Sequence, residues 1–146
     1  MKKKVARLVS VEALPDRVAR VTYSDGRSFG VSFADVVGRL EAFAALDSAD
    51  EFSTVAVADF GWSLEWSCGA TLDSDRVLEM ALEQAGLADN VQFRHWQDRN
   101  RLSLATAASA LGMTRRTISQ YRTGSRPVPR YIALACKGWE AEQRGV

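Results

Sequence analysis

Polar and apolar residues alternate through the first part of the chain and recur every three to four positions through its last part, so the two regions predict different secondary structure. Val5, Leu8, Val9 and Val11 sit in a β-branched-rich run that ends near Pro15, and Val18, Val21 and Tyr23 sit in a second. Ser24-Asp25-Gly26 reads as the hairpin turn that follows, because glycine tolerates the positive φ of a tight primed turn. Phe29, Val31 and Phe33 then alternate along a return strand. From Asp35 to Leu46 the spacing of Val36, Val37, Leu40, Phe43 and Leu46 predicts a helix, which Gly38 weakens. Two more strands, Ser53 to Ala58 and Ser63 to Ser67, are predicted around Asp59-Phe60-Gly61, with Trp62, Leu64 and Trp66 on one face. Asp73 is placed to cap a helix from Ser74 to Ala85, whose stripe of Val77, Leu78, Ala81 and Leu82 stops at Gly86.

From Val91 onward the pattern is helical. Phe93 to Arg101 reads as a first helix, Ser103 caps a second from Leu104 to Leu111, and Gly112 stops it. Thr114 caps a third from Arg115 to Arg122, and a fourth begins near Pro129 and runs to about Gln143. The expected fold is therefore an N-terminal α+β domain over residues 1–86, a small antiparallel sheet with two helices, joined across Gly86 to Asn90 to an all-α domain over residues 90–146.

Charge sharpens that division. Residues 1–89 carry 9 Lys and Arg against 15 Asp and Glu, and residues 90–146 carry 10 against 3, so net charges of −6 and +7 lie behind a total of +1. The second region is built to attract a polyanion. A composition of 47% hydrophobic and 25% charged residues is that of a globular protein. No stretch approaches the roughly 18 apolar residues a membrane helix needs, and Met-Lys-Lys-Lys runs into a strand pattern rather than a signal peptide, so the expected location is the cytoplasm, away from membranes. Cys68 and Cys136, far apart and with His95 as the one histidine, offer neither a zinc spacing nor a disulfide framework. Both thiols are expected to be small buried hydrophobes, with no metal and no cofactor.

The residues that carry chemistry lie between Ser103 and Pro129. Two short helices cross at a tight turn only if small residues line their contact and one residue turns left-handed; Ala107, Ala108 and Gly112 meet those needs. Leu104, Leu111, Met113, Ile118 and Tyr121 fall where a shared core wants them. With Ile118 and Tyr121 inward, Arg115, Arg116, Ser119 and Gln120 point outward on a segment about 12 Å long, the width of a DNA major groove at about 12 Å. Arginine can grip guanine O6 and N7, glutamine can pair with adenine, and hydroxyls reach bases or phosphates. Thr114, Arg115, Arg116, Ser119 and Gln120 are thus the expected base readers, with Thr117, Arg122, Ser125 and Arg126 at phosphates and Ser103 and Thr106 anchoring the preceding helix. Two arginines in a first helical turn oppose the macrodipole by about 0.3 to 1 kcal/mol each, a penalty that a bound phosphate reverses in sign.

At these positions the chain resembles the phage-repressor-like (XRE-type) helix-turn-helix family, through Ala108, Leu111-Gly112, Thr114 and Tyr121 to Gly124, over about Gln92 to Glu142. That resemblance implies operator binding as a homodimer; Arg122 departs from it, standing where many members carry an acidic residue. The first part is similar to a small bacterial domain of unknown function, numbered two-four-four-two, through Tyr23-Ser24-Asp25-Gly26, the Phe33 to Leu46 segment and Leu64-Glu65-Trp66 with Gly69 and Leu72. That second resemblance implies an interaction or sensing module of the kind that accompanies regulators and toxin-antitoxin pairs.

Other constellations have plainer readings. Trp62 and Trp66 could stack nucleobases, but an acidic domain opposes it and core packing is expected. Asp47, Asp50 and Glu51, and Asp73, Asp75 and Glu79, lie at helix starts where carboxylates favour the dipole without catalysis. His95 lacks a matched nucleophile. The expectation is a sequence-specific transcriptional regulator that binds double-stranded DNA and is not an enzyme; the rival is an antitoxin-like adaptor whose N-terminal domain holds a protein partner.

Overall fold

Residues 7–145 are described by the computed structural model; Val5 and the Met-Lys-Lys-Lys start lie outside the described residues. The fold is mixed, with two small antiparallel three-stranded sheets and several helices, and it divides into two units, Met1–Gln84 and Ala85–Val146. Among the described residues no helix is long and apolar enough to cross a membrane.

In the first unit, β1 (Leu8–Leu14), β2 (Val18–Tyr23) and β3 (Ser28–Ser32) form one sheet in that order. The middle strand buries Ala19, Val21 and Tyr23, every second residue, as a sheet with one wet face requires. Gly26 turns the β2–β3 hairpin at φ 93°. The expected helix from Asp35 to Leu46 is broken. It begins as α1 (Ala34–Arg39), becomes extended at Leu40, and continues as a 3₁₀ turn over Glu41–Asp47. Three residues per turn put Phe43 and Leu46 on one side, where both are buried, and Phe43 packs on Trp66.

A second sheet, not the single one expected, is made of β4 (Ala56–Ala58), β5 (Ser63–Glu65) and β6 (Thr71–Asp73). The strand expected from Ser53 starts only at Ala56. Ser53 and Thr54 instead close the one-turn helix α2 (Ala49–Phe52), each donating its hydroxyl to a carbonyl of that turn at 2.7 Å. Trp66 is core: its ring meets Phe33, Phe43 and Phe52, and its indole N–H donates to the Phe52 carbonyl at 3.1 Å. Helix α3 (Ser74–Gln84) buries Val77, Leu78, Ala81 and Leu82, and the Gln84 amide pairs with both backbone groups of Ser32 like one more strand residue. Cys68 is exposed, contrary to expectation, because it sits in the turn that closes from Trp66 to Gly69. Asp59, Phe60 and Gly61 take successive positive φ values of 52°, 57° and 96°. A Cβ at Gly61 would lie 2.6 Å from the Leu8 carbonyl oxygen, so only glycine fits there.

The second unit holds α4 (Ala88–Arg99), α5 (Leu104–Leu111), α6 (Arg115–Thr123) and α7 (Arg130–Gln143). Helix α4 starts five residues earlier than the apolar pattern suggests, and so takes in Asn90. Phe93, Trp96, Ala107, Ile118, Tyr121, Val128, Ile132 and Cys136 form the core, where burial pushes the Cys136 thiol up to about 12 and keeps it protonated.

Arg99 and Asn100 at the end of α4 hold Glu140 of α7 at 2.7 Å, and they hold its carboxyl at about 2, below the usual value of 4.5. A depressed carboxylate pKa stabilises the fold above the unfolded value and loses that effect as pH falls through the folded one. Glu140→Gln is therefore expected to lower stability by about 1 kcal/mol at neutral pH, discounted for solvent, and by almost nothing near pH 2. Acid titration of the melting temperature checks this; an equal deficit at both ends would assign the loss to packing rather than charge.

Candidate nucleic-acid interface

The contact between α5 and α6 is fixed by caps at both ends. Ser103 and Thr106 form a reciprocal capping box on α5, with Ser103 Oγ accepting from the Thr106 amide at 3.1 Å and Thr106 Oγ1 from the Ser103 amide at 2.8 Å. Gly112 ends α5 in the left-handed region at φ 69°, which redirects the chain without strain. Thr114 caps α6, its hydroxyl accepting from the Thr117 amide at 3.2 Å and lying 3.0 Å from the Thr117 hydroxyl. Gly124 ends α6 at φ 81°.

The rotation of α6 is set from behind. Ile118 and Tyr121 are buried, which contributes roughly 1.5 to 3 kcal/mol for each large apolar side chain. That outweighs the roughly 0.3 to 1 kcal/mol by which the helix dipole disfavours each cation in the first turn, so Arg115 and Arg116 stay where the core puts them. Both are exposed, and neither has an ion-pair partner among the described residues. Ser119 and Gln120 are only half-buried rather than fully turned out. The loop beyond α6 folds onto Gln120: Arg126 donates to its carbonyl through the backbone N–H at 3.3 Å and to its side chain at 3.4 Å, while Ser125 and Thr123 hydroxyls donate to the same carbonyl. Ser125 and Arg126 remain exposed. The structure thus places Thr114, Arg115, Arg116, Thr117, Ser119, Gln120, Ser125 and Arg126 on one helix and its following loop.

Arg122 does not join them. Its side chain is 6% exposed and points back to α4, with Nη1 3.0 Å from Asp98 Oδ1 and 3.2 Å from Gln97 Oε1. Reading it as a phosphate contact is therefore a mistake. With Ile118 and Tyr121 inward, position 122 follows Ile118 by four residues and shares its face.

Sequence reasoning also misses the polar face of α4. Asn90, Arg94 and Gln97, spaced by four and three, are all buried. Asn90 Nδ2 donates to the carbonyls of Tyr121 at 2.9 Å and Arg126 at 2.8 Å, and Asn90 Oδ1 accepts from the Val128 amide at 3.0 Å. Arg94 donates to the Arg122 carbonyl, and Gln97 to the Leu102 carbonyl at 3.1 Å. Asn90 and Arg94 satisfy the backbone that ends α6 and shapes the loop after it, and Gln97 that of the α4–α5 connection, so α4 positions the cationic surface without belonging to it. The one available signal was a short run of polar residues recurring at helical spacing, and an apolar search passes over it.

No protein-family model matches the chain, and no curated protein does. Among solved structures, the crystal structure of the "putative DNA binding protein NE0471" from Nitrosomonas europaea ATCC 19718 is similar: 38% of residues are identical, the TM-score is 0.76, and the match covers 97% of this chain and 91% of that one.

Proposed function

The chain belongs to the same family as that Nitrosomonas europaea protein, and from this membership we propose that it binds double-stranded DNA through a helix-turn-helix formed by α5 and α6. The observation that carries the reading is the exposed pair Arg115 and Arg116 at the amino end of a helix whose opposite face is locked into the core. Helix α6 enters the major groove, Arg115, Arg116, Ser119 and Gln120 meet base edges beside Thr114, and Thr117, Ser125 and Arg126 hold phosphates. The protein acts as a sequence-specific transcriptional regulator in the cytoplasm, as a homodimer on two half-sites, and performs no catalysis. Tyr131 and Leu134, large apolar side chains exposed on α7, favour self-association.

Selection of bound fragments from random duplexes tests this directly; recovery of an enriched, two-fold-related motif is the expected result, and unenriched pools would refute sequence-specific binding. On the selected site, Arg116→Ala or Gln120→Ala is expected to cost about 1 to 3 kcal/mol and to relax preference at one base pair. Arg126→Ala is expected to weaken all sequences alike and to lower the salt slope of log K by about 0.9. Fluorescence anisotropy across salt concentrations separates the two behaviours.

A second reading, an antitoxin-like adaptor whose N-terminal unit grips a protein partner, is favoured by one feature. Phe60 is 88% exposed on a turn where two consecutive non-glycine residues take positive φ. Such strain, on the order of 1 to 3 kcal/mol per residue, tends to mark functional loops.

A further inference from the structure

Helix α7 has two apolar faces. Ile132 and Cys136 pack it onto its own unit, while Tyr131 and Leu134, one turn apart on the other side, are 70% and 50% exposed. Beside them the surface is recessed: Ala135, Gly138 and Trp139 of α7 and Ala110 and Leu111 of α5 line a shallow hollow of about 320 Å³ that Glu142 borders. Large apolar side chains grouped in this way, with charge around them, mark an interaction surface.

The spacing along α7 says what covers it. Written as heptads, the helix places Tyr131 and Gly138 at a, Leu134 and Ala141 at d, Arg130 and Lys137 at g, and Ala135 and Glu142 at e. Ile132 and Cys136 fall at b and f, turned to the core. When two such helices pair, the d residue Leu134 enters a hole framed by Tyr131, Ala135 and Gly138 of the other copy. Projection and recess thus lie on the same helix, the self-complementarity that a two-fold interface requires. Packing on its own unit already holds α7 helical, so two heptads can serve where a free peptide of that length would not.

Charge fixes the direction. An antiparallel pair sets g against g, which opposes Arg130, Lys137 and Arg144 to one another. A parallel pair sets g against the e position five residues on, which brings Lys137 to Glu142 of the second copy, twice by symmetry. Both side chains are exposed, and neither has an ion-pair partner among the described residues.

We propose that α7 pairs in parallel with α7 of a second copy about a two-fold axis along the helices, Leu134 seated between Tyr131, Ala135 and Gly138 of that copy and Lys137 paired with its Glu142. This names the interface of the homodimer proposed above and rests on that part of the reading, not on DNA.

Sedimentation equilibrium of the full-length protein without DNA is expected to show reversible dimers with a Kd of about 10 to 100 μM, weak because the patch is small. Leu134→Glu should raise that Kd about a hundredfold or more, with native circular dichroism because the residue is half exposed. Lys137→Glu should raise it about tenfold, and Lys137→Glu with Glu142→Lys should return it to within about twofold of the parent. Disulfides report the direction. In a Cys68→Ser background, which removes the exposed native thiol, Tyr131→Cys and Ala141→Cys should each oxidise to a linked dimer, since parallel helices set every seam residue beside its own copy. In an antiparallel pair, positions about 15 Å apart along the helix cannot both do so.

A protein monomeric throughout, a dimer indifferent to Leu134→Glu, a charge exchange that fails to rescue, or cross-linking at only one of the two cysteines would each overturn the proposal, the first of them leaving the face to a different partner. DNA binding fails separately: a dimer with these properties that enriches no duplex motif leaves the α7 pairing standing, and a monomer that enriches one removes the pairing alone.

Discussion

Replacing Asn90 by leucine is expected to destabilise the second unit by about 3 to 5 kcal/mol, more than any change on the cationic surface itself. Three backbone groups depend on this one amide, the carbonyls of Tyr121 and Arg126 and the N–H of Val128, and a buried group left unpaired costs about 1 to 3 kcal/mol. Leucine keeps the branched outline and opens no cavity, but its methyls are bulkier than the amide, so part of the loss is overpacking and the near-isosteric Asn90→Asp isolates the hydrogen bonds. Asn90→Asp should be nearly as harmful. It keeps the acceptor for Val128 but sets a second oxygen against two carbonyls. Denaturant unfolding measures the cost, and hydrogen exchange at Val128 locates it. A change below about 1 kcal/mol with Val128 still protected would mean that the loop holds its shape without α4.

That dependence marks the limit of what the sequence conveys. Helix α5 was legible to the residue, because Ser103 and Gly112 carry local cap chemistry at either end. The outward position of Arg115 and Arg116 was legible too, since the 3.6-residue period fixes it once Ile118 is inward. What failed depends on contacts distant in sequence. Asn90 looks like linker until the chain 31 to 38 residues later folds against it. The break at Leu40 answers to the aromatic cluster around Trp66, and β6 is three residues long, too short to show a period of two. Cys68 counted as buried on average behaviour for its type, whereas the Trp66–Gly69 turn decides its exposure.

The largest effect after Asn90 is expected at Arg122, and it separates structure from DNA contact. Arg122→Ala should lower stability by about 2 to 4 kcal/mol, less than the full cost of breaking a buried pair because Asp98 is 45% exposed and can recover water. Gln97 Oε1 would also lose its donor, inside the core. Charge in this region is arranged across helices: a cation near the end of α6 answers the carboxylate on α4, so Arg122 neutralises Asp98 and presents no charge to a phosphate. The salt slope of DNA binding, measured below the variant's melting point, should therefore match that of the parent, whereas Arg126→Ala lowers it. Reversing both charges, with Arg122→Glu and Asp98→Arg together, should recover part of the stability that either change removes alone. A slope reduced by about 0.9 with stability intact would put Arg122 on the phosphate backbone instead, and the inward pose would be wrong.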